Sequence, residues 1–111
     1  MHEQKLAQKS CTACQGATHA LNPHETQTLH KQLNKAWKVV QEKQLEREFT
    51  FPDFNTALAF TNKIGAIAEE EGHHPDIYLT WGKVKITLFT HKINGLSESD
   101  FVLAAKYDLI H

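Results

Sequence analysis

Two adjacent histidines are the residues of this sequence best suited to chemistry. His73-His74-Pro75 follows three glutamates and a glycine at Glu69–Gly72, and the chain holds eight histidines in all. An imidazole near neutral pH both donates and accepts protons, so clustered histidines suit general acid–base catalysis. The pair alone leaves an equal alternative, because a histidine beside a helix C-terminus also complements the helix dipole.

A third histidine and one aspartate complete the candidate set. His91 lies at the end of the last predicted strand, on the face opposite Val84 and Leu88. Asp100 lies three residues after Ser97, the spacing of a capping box at a helix start. A lone histidine at a strand end is usually exposed to solvent and has no chemical role, and Asp100 is most simply a capping residue. The same carboxylate can also accept a hydrogen bond from a histidine and fix the tautomer of that ring.

The apolar pattern predicts the elements that position these residues. Leu29, Leu33 and Trp37 recur at helical spacing, which predicts a helix from about His24 to Lys35 with Trp37 near its end. Alternating polarity from Trp37 to Phe51 then predicts a pair of strands.

A second helix of about 18 residues is predicted to begin after Pro52-Asp53. Its core-facing stripe is Ala57, Phe60, Ile64 and Ile67. Gly72 suits the left-handed position that ends a helix, and Pro75 opposes a restart. His73 and His74 therefore fall just past the helix end.

A hairpin and a last helix follow. Ile77, Leu79 and Trp81 precede a predicted turn at Gly82-Lys83, and Val84, Ile86 and Leu88 alternate after it. Asn94-Gly95 predicts another turn, and Ser97 begins a helix carrying Phe101, Val102, Ala105 and Leu109. The order α-β-β-α-β-β-α predicts an α+β two-layer fold, a four-stranded antiparallel sheet with helices packed on one face.

The composition is that of one globular domain. The chain has 111 residues, 12 Lys and Arg against 13 Asp and Glu, and a formal charge of -1. This balance disfavours a basic nucleic-acid-binding face. With no secretory signal and no apolar run near the roughly 20 residues that span a bilayer, a cytoplasmic protein without membrane contact is expected. We expect a single domain at 23–111 and an N-terminal extension at 1–22.

The extension contains a Cys-x-x-Cys motif formed by Cys11 and Cys14. Such a pair is redox-active in some proteins and half of a zinc site in others, with His19 or His24 available here to complete it. No βαβ pattern surrounds the motif, and two cysteines make no disulfide framework. Inert thiols are therefore the leading interpretation.

The spacing of the candidate residues resembles the signature of the pterin-4a-carbinolamine dehydratases. The pattern is Glu69, three residues, His73-His74-Pro75, five residues, Trp81, nine residues, His91, eight residues and Asp100. Two flanking segments, Phe49–Asn55 and Gly95–Glu98, also resemble the family, and the likeness extends from about Trp37 to Asp108.

This resemblance implies a dehydratase that eliminates water from a 4a-hydroxytetrahydropterin, giving quinonoid dihydropterin for aromatic amino acid hydroxylases. It implies His73 and His91 as acids towards the hydroxyl, His74 as the main binding group and base, and Asp100 as the orienting group. The pterin would lie against the backbone of His73–Pro75 and Thr90–Ile93, the second segment including Lys92. Trp37, Trp81 and Glu69 are further candidate contacts, although core packing explains either tryptophan equally well.

The resemblance also implies partners and leaves alternatives open. It implies no cofactor, a homodimer or homotetramer, and a functional link to phenylalanine hydroxylase. Members of the family are also known as dimerisation cofactors of a homeodomain transcription factor, so a non-enzymatic role is a second hypothesis. A zinc site of His73, His74, His91 and Asp100 is a third, disfavoured because successive side chains of an extended segment point apart.

Overall fold

The chain forms a four-stranded antiparallel sheet and three α-helices in a computed structural model that describes residues 6–9 and 20–111. The predicted α+β fold and the order α-β-β-α-β-β-α are confirmed. Short 3-10 turns occur at Leu6–Gln8 and His91–Ile93. The elements are α1 (Pro23–His30), β1 (Lys38–Val40), β2 (Gln44–Thr50), α2 (Phe54–Glu71), β3 (Asp76–Thr80), β4 (Lys83–Leu88) and α3 (Glu98–Leu109).

The sheet has one apolar face and one charged face. Its strand order is β1-β2-β4-β3, and each neighbouring pair is antiparallel. Because side chains alternate along a strand, the register puts Phe49 opposite Val84 on the core face and Glu48 opposite Lys85 on the other. The core joins the buried side chains of β2 and β4 to those of α2 and α3.

Helix α2 begins and ends where the sequence predicts. Asp53 is its N-cap and accepts the backbone N–H of Thr56 at 2.8 Å, and this hydrogen bond lowers the pKa of the Asp53 carboxyl. Gly72 ends the helix in the left-handed conformation, with φ of 67°, after 18 helical residues. This ending turns the chain so that His73 and His74 lead directly into β3.

Helix α1 is shorter than predicted, since it ends at His30 and not near Lys35. The Asn34 side chain accepts the backbone N–H of Ala36 at 2.8 Å, a local bond that competes with helix continuation. Trp37 then lies outside the helix and is fully buried in the core. Tertiary packing of this ring outweighs the helical spacing of the apolar residues before it.

Helix α3 starts at the predicted capping box, but its buried face differs from the predicted stripe. Phe101 and Val102 are buried as expected, whereas Leu109 is 74% exposed. Leu103 and Tyr107 are buried instead. At 100° per residue Leu109 lies about 120° around the helix axis from Leu103, so it faces away from the core.

The hairpin before α3 is shifted by one residue from the prediction. Its turn lies at Trp81-Gly82, and Lys83 already belongs to β4. No helix within residues 6–9 and 20–111 is long and apolar enough to cross a membrane.

Candidate active site

A fully buried carboxylate, Asp100, organises the candidate site. It lies in the first turn of α3, where its Oδ2 accepts the backbone N–H of Ser97 at 2.9 Å. The Thr90 hydroxyl donates to the same oxygen at 2.8 Å. The second oxygen, Oδ1, lies 2.6 Å from Nε2 of His73. Asp100 therefore caps a helix and holds a histidine at once.

The burial of His73 follows from the end of α2. Its backbone N–H still donates to Ala68 at 3.2 Å, which fixes the first residue after the helix. The ring is nearly buried, and its Nε2 faces the Asp100 carboxylate. Because a carboxylate only accepts, Nε2 carries the proton of this bond. The other ring nitrogen, Nδ1, is then the one left for proton transfer.

His74 has a different partner from its neighbour. Its Nε2 lies 2.9 Å from Oε2 of Glu69, and both side chains are exposed. Such an exposed pair adds little stability, although it favours one orientation of the ring. Successive side chains thus point to different surroundings, as in an extended segment.

His91 does not end a strand, contrary to the sequence-based prediction. Strand β4 stops at Leu88, and His91 begins the 3-10 turn that follows. Backbone hydrogen bonds between Thr90 and Gly95 close this loop, with the Thr90 N–H donating at 2.8 Å. The exposed His91 ring packs on Phe89, with ring centroids 4.1 Å apart. The loop thereby presents an imidazole to solvent beside the residue that contacts Asp100.

The remaining candidate residues divide by exposure. Trp81 is 68% exposed at the tip of the β3–β4 hairpin. Trp37 is fully buried and donates from Nε1 to Asp108 at 2.8 Å, so this ring packs in the core and offers no open face to a ligand. Pro75 and Ile93 are half-buried, and Lys92 is exposed.

Two buried hydroxyls belong to the site, although the sequence pattern does not reveal them. Thr90 was a candidate only through its backbone, and Ser97 only as a helix cap. Their hydroxyl oxygens lie 2.7 Å apart, in contact with Asp100 through Thr90. A buried hydroxyl leaves no signature in a single sequence, because its partner is set by tertiary contact.

The described residues show no group of three His, Cys, Asp or Glu side chains able to hold a metal ion. Cys11, Cys14 and His19 lie outside those residues, and His24 is exposed in α1. A cavity of about 390 Å³ is lined by charged residues of the outer sheet face, among them Lys38, Glu46 and Lys85. Its lining contains none of the candidate histidines.

Comparisons with known proteins agree with the family resemblance. The family model described as pterin 4 alpha carbinolamine dehydratase matches residues 19–110. A protein of Alkaliphilus metalliredigens is 58% identical over 93% of this chain and 93% of its own length. A protein of Rubrobacter xylanophilus is 51% identical over 94% of this chain and 96% of its own length. Both carry the provisional name pterin-4-alpha-carbinolamine dehydratase.

Solved structures give the same result. The transcriptional coactivator/pterin dehydratase of Brucella melitensis has a TM-score of 0.77 and 32% identity, covering 83% of this chain and 98% of its own. A pterin dehydratase-like RuBisCO assembly factor of the alpha-carboxysome has a TM-score of 0.60 and 28% identity, covering 69% and 90%. The chain therefore belongs to the pterin 4 alpha carbinolamine dehydratase family and is a lyase of that class.

Proposed function

We propose that this enzyme removes water from 4a-hydroxytetrahydrobiopterin by histidine acid–base catalysis without a metal or cofactor, giving quinonoid dihydropterin. The observation that carries the proposal is the buried His73–Asp100 pair at 2.6 Å, at a junction that also presents the exposed His74. A buried carboxylate holding one nitrogen of an imidazole fixes the role of the other, as in known acid–base sites.

The reaction needs one proton removed and one delivered. The N5–H proton leaves as the C4a–O bond breaks, and the departing hydroxide takes a proton to become water. We assign His73, in the form that also carries a proton on Nδ1, and His91 as acids towards the hydroxyl, His74 as the main binding group and base at N5, and Asp100 as the group that orients His73. Positioned acid–base groups typically contribute about 10² to 10⁴ each in rate.

Substrate contacts follow from the same arrangement. The proposal puts the pterin against the backbone of His73–Pro75 and of Thr90–Ile93, two segments brought together through Asp100. Glu69 supports this arrangement by its 2.9 Å contact with His74. The exposed indole of Trp81 is available for stacking, which the buried Trp37 is not.

The proposal extends to the cellular setting. The product is the form from which the tetrahydropterin of aromatic amino acid hydroxylases is recovered, so we propose a link to phenylalanine hydroxylase in the cytoplasm. We further propose a homodimer or homotetramer, supported by the exposed edge strand β3.

A binding role is the second candidate. Both solved relatives are named for such a role, one as a transcriptional coactivator and one as a RuBisCO assembly factor. The exposed Tyr78 in β3 and Trp81 in the turn after it are side chains of the type found at interfaces.

The test generates the 4a-hydroxypterin in situ with a phenylalanine hydroxylase and follows its decay optically. We expect the wild-type chain to accelerate the decay, His74→Ala to abolish the gain, and treatment of the dehydratase alone with a chelator before the assay to change nothing. The matched control is His24→Ala, an exposed histidine of α1 outside the proposed site, which should keep wild-type activity. An unchanged spontaneous rate with wild-type protein would contradict dehydratase activity and favour the binding role. Loss of activity on chelation would contradict the metal-free mechanism.

A further inference from the structure

We propose that the hydroxyls of Thr90 and Ser97 form a donor chain that positions Asp100 and thereby fixes the tautomer of His73. Neither hydroxyl would touch the substrate, so both are positioning residues. The consequence for catalysis rests on the proposed function, whereas the effect on the His73 ring does not.

The direction of the chain follows from counting protons. Thr90 has a single hydroxyl proton, and it goes to Oδ2 of Asp100 at 2.8 Å. The 2.7 Å contact between the two hydroxyls must therefore use the Ser97 proton, with Thr90 Oγ1 as acceptor. Donation runs from Ser97 to Thr90 to Asp100.

The chain occupies one carboxylate oxygen completely. Oδ2 receives both the Thr90 hydroxyl and the Ser97 backbone N–H, at 2.8 and 2.9 Å. Only Oδ1 remains for a further donor, and it faces Nε2 of His73 at 2.6 Å. The two donors on Oδ2 fix the plane of the carboxylate, so Oδ1 stays directed at His73. Because Oδ1 only accepts, the ring must donate from Nε2–H.

Burial makes these hydrogen bonds important for the orientation of Asp100. Thr90, Ser97 and Asp100 are all buried, so water does not replace a lost partner easily. Without the Thr90 hydroxyl, Oδ2 keeps only the Ser97 backbone N–H, and the carboxylate is held less firmly against turning away from His73. Turning would release Nε2 of His73 and allow the ring to protonate at Nδ1 instead.

Three parts of the fold meet in this donor chain of hydroxyls. Ser97 and Asp100 begin α3, Thr90 opens the loop carrying His91, and His73 follows α2. The hydroxyl of Thr90 is therefore the link through which the His91 loop is tied to the group that holds His73.

The experiment compares Thr90→Val, which removes only the hydroxyl, with Thr90→Ser, which restores it. Nitrogen-15 NMR of the histidine rings at about pH 8 reads the His73 tautomer. We expect a ring protonated at Nε2 in the wild type and in Thr90→Ser, and a mixture of both tautomers in Thr90→Val. In the dehydration assay kcat should fall about 10- to 100-fold in Thr90→Val with KM within about twofold, because a misoriented His73 slows proton transfer while the backbone contacts to the pterin remain.

The matched control is Thr26→Val. Thr26 is equally buried, and its hydroxyl has no hydrogen-bond partner among the described residues. This variant should leave both the His73 tautomer and kcat unchanged. If Thr90→Val does not fold, Ser97→Ala tests the first donor of the chain, and a smaller change of the same kind is expected.

Each outcome separates the two proposals. An unchanged His73 tautomer in folded Thr90→Val, or in Ser97→Ala where Thr90→Val does not fold, overturns the positioning role, whatever the activity. If Thr90→Val shows a tautomer mixture but the wild-type protein has no dehydratase activity, the positioning role is supported and only the proposed function is rejected.

Discussion

At the scale of single residues, Asp108 is a carboxylate in a half-buried position. The carboxylate lies near the end of α3, where Trp37 Nε1 donates to it at 2.8 Å and Arg47 at 2.6 Å. Burial raises the pKa of Asp108, while the Trp37 hydrogen bond and the Arg47 charge oppose that change. The raised pKa means that loss of solvation outweighs both partners.

The variant Asp108→Asn tests this balance. A pKa raised on folding means that the protonated form stabilises the fold. That contribution is complete below the usual value near 3.8 and is lost as pH rises through the folded value. We therefore expect the unfolding free energy of the wild type, relative to Asp108→Asn, to decrease as pH rises across this window. Urea unfolding between about pH 3.5 and 6 measures it, and an increase with pH would contradict the assigned direction.

Asp108→Ala is the comparison variant for the same site. It leaves the Trp37 N–H and the Arg47 guanidinium without their shared acceptor in a half-buried place. The expected loss is about 2 kcal/mol at neutral pH, larger than that of Asp108→Asn.

The same scale shows what a sequence reveals about a site. His73, His74, His91 and Asp100 are visible because rare residue types recur at a specific spacing. Thr90 is not, since the hydrogen bond that makes it part of the site joins residues that only the tertiary fold brings together. Threonine is common, and nothing local to the sequence separates Thr90 from Thr87.

At the scale of elements, the loop of residues 90–95 depends on a close backbone approach. A Cβ on Gly95 would lie 2.7 Å from Cβ of Ala20, a distance that real side chains do not tolerate. Next to it, the Leu21 N–H donates to the Leu96 carbonyl at 2.8 Å. The segment before α1 therefore packs directly on the loop that carries His91.

Gly95→Ala should displace this packing. We expect a loss of about 1–3 kcal/mol in unfolding free energy and reduced dehydratase activity, because the His91 loop shifts. Gly65→Ala is the control: it lies inside α2, an added Cβ meets nothing within 4 Å, and alanine favours a helix by up to about 1 kcal/mol. Thermal unfolding and the dehydration assay measure both variants. Equal stability of Gly95→Ala and the wild type would show that Ala20 moves freely.

Elements with strong local signals were predicted well. Helix α2 has a capping aspartate, a regular apolar stripe and a terminal glycine, and each agrees with the structure. Helix α1 has a good start at Asn22-Pro23 but no comparable stop, so the burial of Trp37 decides where it ends. In α3 the buried face is wide, so a stripe of four apolar residues does not show which side of the helix faces the core. For this reason the stripe wrongly predicts that Leu109 is buried.

At the scale of the whole molecule, the two surfaces of the sheet differ in what they can bind. The outer face carries partly exposed cross-strand pairs such as Glu46–Lys85 at 3.3 Å, which contribute little to stability. The edges differ as well. Strand β1 has three residues and begins with an exposed lysine, whereas β3 has five and exposes Ile77 and Tyr78. Among the described strands, β3 is thus the edge better suited to pairing with a second copy.

The variant Ile77→Lys tests whether β3 is the edge through which the proposed homo-oligomer forms. A lysine on an edge strand opposes pairing with another chain, because its charge would lose solvation in the joined sheet. We expect the wild type to have at least twice the 12.6 kDa monomer mass by light scattering, and Ile77→Lys to have the monomer mass. Val40→Lys makes a comparable change on the opposite edge strand, β1, and should leave the assembly intact. A wild-type chain that is monomeric at micromolar concentration would contradict the oligomer, and dissociation by Val40→Lys alone would assign it to β1.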